Sequence, residues 1–203
     1  MSLSPTQTSA AAQSLLEAEK TGRQIGLLSL AHPNMTMDDA YAVQAELMRL
    51  KVAQGRSIIG WKIGLTSKAM QYALGISTPD SGVLFDDMAF DDGATVPEGR
   101  FIQPRIEAEI AFVMKAPLAG DGITCEDVIA ATDFVAPALE ILDTRILRID
   151  PVTKEPRTIV DTISDNAANA GIVLGEARHR IDAFDLRWVG AIVARDGAVE
   201  ETG

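Results

Sequence analysis

The chain of 203 residues contains only one cysteine, Cys125. A single thiol cannot form an intrachain disulfide, and it cannot supply a cysteine-based zinc site. A reducing cytoplasm is therefore the compartment that this composition favours. Because free cysteine is among the most buried residue types, we expect Cys125 to be a buried residue of a helix.

Long apolar runs are missing as well. No segment reaches the roughly 18 apolar residues that a membrane-spanning helix requires. The first residues, MSLSPTQ, lack the basic residues and the following apolar core of a secretion signal. We therefore expect a protein that neither spans a membrane nor is exported.

Basic residues are in the minority, since 18 lysines and arginines stand against 29 aspartates and glutamates, for a formal net charge of -11. This balance argues against binding to a nucleic-acid backbone or to an anionic membrane surface. The sequence also lacks a Gly-x-Ser-x-Gly elbow, a phosphate-binding loop and a dinucleotide fingerprint. A functional site must therefore be sought in other patterns.

The pattern along the chain predicts an α+β protein. Apolar residues recur at helical spacing over residues 9–22 and 36–53, and Thr36 with Asp39 forms a capping-box pattern. From Gly82 onward, short apolar runs alternate with turn signals, which is more typical of a β-rich barrel or sandwich than of a doubly wound sheet. We expect an N-terminal helical region over residues 1–56 and a β-rich domain over residues 57–203.

The last part of the chain predicts a hairpin that ends early. Residues 186–194 have the pattern of a strand, Asp196 and Gly197 that of a hairpin turn, and residues 198–202 that of a short return strand. A sheet that ends in so short a strand leaves an exposed edge. We therefore expect a β-rich domain that is truncated at its C-terminus.

The segment RIEAEIAFVM at residues 105–114 carries the strongest chemical signal. In a strand Glu107 and Glu109 leave from the same face, because successive side chains alternate. Glu140 follows later in the apolar context ALEIL, where a buried carboxylate needs a partner. Carboxylates so close repel one another unless a cation compensates, and such a set suits Mg2+ or Mn2+. The alternative is the solvated face of an amphipathic strand.

Two other residues are candidates for proton transfer. Lys62 lies in the apolar segment GWKIG between two glycines, which allow close approach of a backbone or a ligand, and it is a candidate base or anion anchor. Asp80 lies in the turn TPDSG, where it could activate a water or orient Lys62. The alternatives are a lysine that extends to water and an aspartate that bonds its own backbone. The polar residues 162–169 fit either a ligand loop or a helix cap.

Four ordered segments resemble the fumarylacetoacetate hydrolase superfamily, and specifically its hydratase/decarboxylase branch. They are GWKIGLTSKAM at residues 60–70, PRIEAEIAF at 104–112, PALE at 137–140 and DTISDNAANAG at 161–171. The likeness extends from about residue 13 to the end of the chain. The segment IDPVTKEPR at residues 149–157 is more similar to branch members that act on a heptenedioate than to pentadienoate hydratases.

The resemblance implies a helical region followed by a distorted mixed β-barrel, assembled as a homo-oligomer. The three carboxylates that hold Mg2+ or Mn2+ in the family fall on Glu107, Glu109 and Glu140, its lysine on Lys62 and its turn aspartate on Asp80. The implied reaction adds water to a small-molecule 2-oxo dicarboxylic acid, 2-oxo-hept-3(4)-ene-1,7-dioate, in the catabolism of aromatic compounds. Family chains also continue beyond the point that corresponds to Gly203.

Other functions are compatible with the same residues. Within the branch they are decarboxylation of an acid such as 4-oxalocrotonate and hydration of 2-hydroxypenta-2,4-dienoate. Outside it they are a non-catalytic partner subunit of a related enzyme and a purely structural acidic β-domain. A second carboxylate on the substrate would need a cation, and surface solvation is the alternative role for most of the candidates, which are Arg145, Arg148, Lys154 and Arg157.

Overall fold

A computed structural model describes residues 2–68, 71–72 and 75–202 of the chain. The chain divides into two compact units. The first comprises the chain through Ala89, Thr95–Arg105 and Ile141–Gly171, and the second comprises Phe90–Ala94, Ile106–Glu140 and the chain from Ile172 onward. The expected boundary between residues 56 and 57 stays a prediction.

The helices of the described residues lie mostly near the N-terminus. They are α1 (Pro5–Thr21), α2 (Leu28–Ala31), α3 (Met37–Ala53), α4 (Cys125–Ala131) and α5 (Ile159–Ser164). In the part of the chain that the structure describes, no helix combines the length and the hydropathy needed to cross a bilayer.

The first helices begin where side chains cap them. The Thr36 hydroxyl accepts a hydrogen bond from the Asp39 amide at 3.2 Å, and the Asp39 carboxylate accepts one from the Thr36 amide at 3.0 Å. The predicted capping box of α3 is therefore confirmed. The helix α1 begins earlier than predicted because Ser4 and Gln7 form a second capping box.

The core of the first unit lies between these helices. α1 packs against α3, which packs in turn against α5. Lys51 of α3 is fully buried, and its ammonium donates to the Glu19 carboxylate of α1 at 2.6 Å. This pair satisfies a charge that would otherwise be costly to bury. The fully or almost fully buried apolar residues of this unit include Leu15, Val43, Leu47, Phe85, Ile146 and Ile163.

The strands of the described residues form three sheets. The strands are β1 (Ile58–Gly64), β2 (Asp80–Phe85), β3 (Ala89–Phe90), β4 (Arg105–Met114), β5 (Thr132–Leu142), β6 (Asn169–Leu174), β7 (Ile192–Arg195) and β8 (Ala198–Thr202). β1 pairs with β2, β7 pairs with β8, and a four-stranded sheet has the order β3-β6-β5-β4. The prediction of an α+β fold is confirmed. Within residues 2–68, 71–72 and 75–202 none of these sheets closes on itself, so the distorted barrel stays a prediction.

Two local expectations are wrong. Leu186–Trp188 forms a 3-10 turn rather than the first part of a strand, because the Asp185 carboxylate accepts a hydrogen bond from the Arg187 amide at 3.1 Å. Cys125 is exposed, since it is the first residue of α4, whose buried residue, Ala131, lies at the other end of the helix. The hairpin of β7 and β8 is as predicted.

Candidate metal centre and the Lys62–Asp80 pair

The three predicted ligand residues come together in the second unit. Glu107 and Glu109 are two residues apart on β4, and Glu140 lies on β5, its neighbour in the sheet. Each contributes one carboxylate oxygen to a group whose members all lie within 4.8 Å of one another. Glu107 and Glu109 are exposed, whereas Glu140 is only 6% exposed. The alternation along β4 and the pairing with β5 thus turn three separate residues into one cluster.

The composition of this cluster fits a divalent cation. Three carboxylates at such distances repel one another, and a bound cation offsets that repulsion. Carboxylate oxygens are ligands that Mg2+, Mn2+ and Ca2+ accept, while a soft or nitrogen-preferring metal has no thiolate or imidazole among these three residues.

Lys62 and Asp80 form a second group, in the first unit. β1 and β2 are antiparallel, with Lys62 opposite Gly82 and Gly64 opposite Asp80. Asp80 is the first residue of β2 rather than a turn residue, and it is 4% exposed. Burial raises the pKa of the Asp80 carboxyl, and the positive charge of Lys62 opposes this rise in pKa. The two side chains are therefore electrostatically coupled.

Gly64 makes room for this pair. A Cβ atom at Gly64 would overlap Asp80 Oδ1 and would lie 3.0 Å from Lys62 Nζ, which is also closer than an ordinary contact of carbon with nitrogen. The glycine that the sequence places after Lys62 is thus required by the carboxylate and the ammonium beside it.

On its other side Lys62 meets a turn with unusual backbone geometry. Lys62 Nζ donates to the Ala167 carbonyl at 3.4 Å. Three consecutive residues that are not glycine, Asn166, Ala167 and Ala168, have φ values of 56°, 52° and 57°. The left-handed region costs such residues roughly 1–2 kcal/mol each, so other contacts must hold the turn.

The contacts that hold this left-handed turn come from several elements. The Asn166 side chain bonds both polar backbone groups of Val83 on β2, accepting from its amide at 2.7 Å and donating to its carbonyl at 2.9 Å. The Ala168 carbonyl accepts from the Asp143 amide at 2.8 Å. Gly82 permits close packing, because a Cβ there would lie 2.5 Å from the Asn166 carbonyl oxygen.

Arg145 completes the support of the turn. It is 3% exposed and forms an ion pair with the fully buried Asp165. Its guanidinium also donates to the Asp165 carbonyl at 2.7 Å and to the Asn169 carbonyl at 3.3 Å. Arg145 is therefore bonded within the protein and does not have a free guanidinium for a ligand. Sequence reasoning singled out the polar run 162–169 but not this arrangement, since alanine carries no signal for a left-handed backbone.

The chain is similar to known proteins of two kinds, hydratases and a decarboxylase. No family model matches the chain. The chain is 56% identical to 2-oxo-hept-4-ene-1,7-dioate hydratase of Escherichia coli over 192 residues, which cover 95% of this chain and 72% of that protein. It is 41% identical to 2-keto-4-pentenoate hydratase of Paraburkholderia xenovorans strain LB400, covering 99% of this chain and 72% of the relative. It is 37% identical to 4-oxalocrotonate decarboxylase of Pseudomonas sp. strain CF600, covering 99% and 74%.

A solved structure gives the same relationship in three dimensions. The 4-oxalocrotonate decarboxylase from Pseudomonas putida G7, complexed with magnesium and adipate, superposes with a TM-score of 0.89 at 37% sequence identity. The alignment covers all of this chain and 74% of that one. A second structure of that enzyme, complexed with calcium and acetate, superposes with the same TM-score.

Proposed function

Because this chain belongs to the hydratase/decarboxylase branch of the fumarylacetoacetate hydrolase superfamily, we propose that it hydrates 2-oxo-hept-3(4)-ene-1,7-dioate to 4-hydroxy-2-oxoheptanedioate. Its hydratase relatives are lyases, and the reaction belongs to the same class. One observation carries the choice of substrate. Identity to the dioate hydratase is 56%, against 41% and 37% to the pentenoate hydratase and the decarboxylase named above.

Glu107, Glu109 and Glu140 are the proposed ligands of Mg2+ or Mn2+. The spacing of their oxygens and their all-oxygen chemistry support this assignment. Magnesium in the related decarboxylase structure supports it too. When bound, the cation would act as a Lewis acid toward the 2-oxo group and the adjacent carboxylate, stabilising the negative charge that develops on oxygen.

Lys62 and Asp80 are the proposed proton-transfer residues. Hydration places a hydroxyl group on C4 and a proton on C3, and conversion of the 4-ene to the 3-ene moves a proton from C3 to C5. Asp80 suits the role of a base that takes up and returns such a proton, because burial raises the pKa of its carboxyl towards the range useful for catalysis. Lys62, positioned by the Ala167 carbonyl, lies beside Asp80 and is proposed to share the proton transfer and the activation of water.

Substitution of the lysine tests this function. Lys62→Ala is expected to abolish hydration of the heptenedioate while Mg2+ binding, measured by calorimetry, is retained. Lys68→Ala, at an exposed lysine on the same stretch of chain, is the matched control and should keep its activity. Full activity of the Lys62→Ala protein would contradict the assignment of Lys62.

Decarboxylation of a 2-oxo-enedioate is the second candidate, favoured by the TM-score of 0.89 to the decarboxylase structure. Product analysis separates the two functions. A hydratase consumes the absorbance of the conjugated dienol without release of CO2, whereas a decarboxylase releases one CO2 for each molecule consumed. Release of stoichiometric CO2 from 4-oxalocrotonate, with no hydration of the heptenedioate, would replace the first function by the second.

We further propose that the protein assembles as a homo-oligomer. Ile59, Trp61 and Ile63 alternate along β1 and are all more than half exposed. An apolar face of this kind marks an interaction surface. Sedimentation at several protein concentrations should show an assembly larger than one chain, and Trp61→Glu should weaken it. A single-chain mass at every concentration would contradict this proposal.

A further inference from the structure

Two arginines face each other across a short hairpin in the first unit. Ile149 and Pro156 form an antiparallel bridge, and the Arg157 amide donates to the Arg148 carbonyl at 2.9 Å. This register places Arg148 and Arg157 directly opposite each other. Like charges in such a cross-strand pair are destabilising. The arrangement therefore lowers stability unless an anion compensates it.

A third arginine lies beside this pair. One guanidinium nitrogen of Arg148 donates to the Gln103 carbonyl at 3.3 Å, which brings Arg148 next to the segment that leads into β4 at Arg105. The Asp143 carboxylate fixes this segment, because it accepts hydrogen bonds from the amides of Ile102 at 2.9 Å and Gln103 at 2.7 Å. The guanidinium of Arg157 is fixed as well, since it donates to the Thr144 hydroxyl at 2.8 Å.

The electrostatics of the three residues agree with their placement. Partial burial, and then repulsion by Arg105, lowers the pKa of Arg148, and the Asp143 carboxylate opposes this effect. For Arg157, burial and then repulsion by Arg148 lower the pKa. Asp165 opposes this lowering, whereas Arg105 and Arg145 add to it. The three guanidiniums thus repel one another.

The carboxylates that face the three arginines already have other bonding partners. Asp165 is paired with Arg145, and Asp143 is bonded to two backbone amides. Within the residues that the structure describes, Arg105, Arg148 and Arg157 have no salt-bridge partner at 4.0 Å or less. A concentration of positive charge of this kind is notable in a chain with a formal net charge of -11.

We propose that Arg105, Arg148 and Arg157 form a binding site for a small oxyanion, and that its occupant is a carboxylate group of an organic acid. The planar fork of a guanidinium matches the two oxygens of a carboxylate. The guanidiniums of Arg148 and Arg157 are held by the Gln103 carbonyl and the Thr144 hydroxyl, so they are pre-organised to bind one. The choice of a carboxylate over inorganic phosphate rests on the proposed function, because its substrate and product are both dicarboxylic acids.

Calorimetric titration with glutarate tests the site without any turnover. The protein is titrated at low ionic strength in buffer freed of divalent cations by a chelating resin, because a soluble polycarboxylate chelator would compete for the same arginines. We expect saturable binding whose dissociation constant rises about tenfold in Arg148→Gln and in Arg157→Gln, because each change removes a charge-assisted hydrogen bond. Arg180→Gln is the matched control, since Arg180 is an exposed arginine already paired with Asp182 at 2.6 Å, and its affinity should not change.

Thermal melting provides a second readout that does not depend on the heat of binding. Without ligand, Arg148→Gln should melt at the wild-type temperature or above it, because the substitution relieves repulsion. With glutarate, only the wild type and Arg180→Gln should show a rise in melting temperature. A failure of Arg157→Gln to fold would leave Arg148→Gln to decide the matter.

Three outcomes would overturn the proposal. They are no saturable binding of glutarate to the wild type, equal affinity in all the proteins, or tighter binding of inorganic phosphate than of glutarate at the same arginines. The last outcome would assign the site to phosphate. A protein that hydrates the heptenedioate but fails to bind glutarate refutes this site alone. A protein that binds glutarate at the arginines but has no hydratase activity refutes the proposed function alone.

Discussion

Gly64 and Gly60 both lie on β1, but only one of them is closely packed. A Cβ at Gly64 would overlap Asp80 Oδ1, whereas a Cβ at Gly60 would meet its nearest neighbour, Leu84 Cδ1, at 3.7 Å, an ordinary contact. Alanine substitutions at the two positions therefore separate the effect of an added methyl group on the strand from its effect on the Lys62–Asp80 pair.

We predict that Gly64→Ala lowers kcat about 100-fold, because displacement of a reacting group by about 1 Å has an effect of this size. The added methyl group must push Asp80 away from Lys62. Steady-state kinetics of Gly64→Ala and of the matched Gly60→Ala provide the measurement. Equal kcat values in the two variants would show that the spacing of this pair is unimportant.

The raised pKa of Asp80 has a consequence for stability. Because the native state binds the Asp80 proton more strongly than the unfolded state does, this group stabilises the fold below its unfolded pKa of about 3.9. That stabilisation is lost as the pH rises through the raised native pKa. Whenever this carboxyl is ionised, the native protein thus carries a buried carboxylate that its surroundings disfavour.

We predict that Asp80→Asn raises the free energy of unfolding at pH 7, although it should abolish activity. The gain should shrink as the pH falls below the native pKa of Asp80, since the wild-type carboxyl is then neutral as well. Urea denaturation at pH 7 and pH 4 measures both effects, and Asp92→Asn, in an exposed turn, is the control. A lower stability of Asp80→Asn at pH 7 would contradict this reasoning.

At the scale of the elements, the left-handed turn of residues 166–168 stands out, because its residues do not by themselves favour the positive φ values that they adopt. Asn166→Ala removes both hydrogen bonds to Val83 and the tolerance of asparagine for positive φ, whereas Asn166→Gly removes the same bonds but keeps that tolerance. Comparison of the two variants therefore separates the free-energy cost of the left-handed backbone from the cost of the lost hydrogen bonds.

We predict a loss of about 3 kcal/mol of unfolding free energy for Asn166→Ala, from two lost hydrogen bonds and the left-handed backbone. Asn166→Gly should lose about 1 kcal/mol less, because glycine adopts positive φ without the steric cost. Its kcat should also stay closer to the wild-type value, since the Ala167 carbonyl then remains beside Lys62. A glycine variant with a lower kcat than the alanine variant would refute the positioning role of the turn.

The elements that the sequence predicts well are those whose signals are local. The capping box at Thr36 and the hairpin at Asp196 and Gly197 depend on residues a few positions apart. The alternation of Glu107 and Glu109 predicts a shared face for the same reason. The left-handed turn is different, because Val83 and Asp143 hold the turn and Arg145 holds the residues that flank it, and all three lie far away in the chain. Likewise, the pattern of residues 148–157 does not reveal that Arg148 and Arg157 are opposite each other.

At the scale of the whole molecule, metal binding should couple to folding. A ligand that binds only the native state at a concentration of 100 times its dissociation constant stabilises the protein by about 2.7 kcal/mol. For a chain of this size that corresponds to a rise in melting temperature of about 5–10 °C. We predict such a rise with Mg2+ and a further rise when oxalate is added as a mimic of the 2-oxo carboxylate.

The same melting experiment tests which residues bind the metal. Glu140→Gln should lose the response to Mg2+ and to oxalate, because the triad then keeps only two carboxylates. Glu176→Gln, at an exposed glutamate on another part of the second unit, should keep both responses. If Mg2+ and oxalate leave the wild-type transition unchanged, the carboxylate triad is not a metal site and the proposed mechanism fails.

The left-handed turn also affects the order in which the parts of the structure form during folding. Its own sequence does not favour positive φ, and the groups that impose it lie on β2 and near residues 143–145. The turn must therefore form after those long-range contacts, late in folding. A chain that has its helices but not yet this turn would have nearly native circular dichroism and no positioned Lys62. Recovery of activity after dilution from denaturant should accordingly lag behind recovery of helical signal.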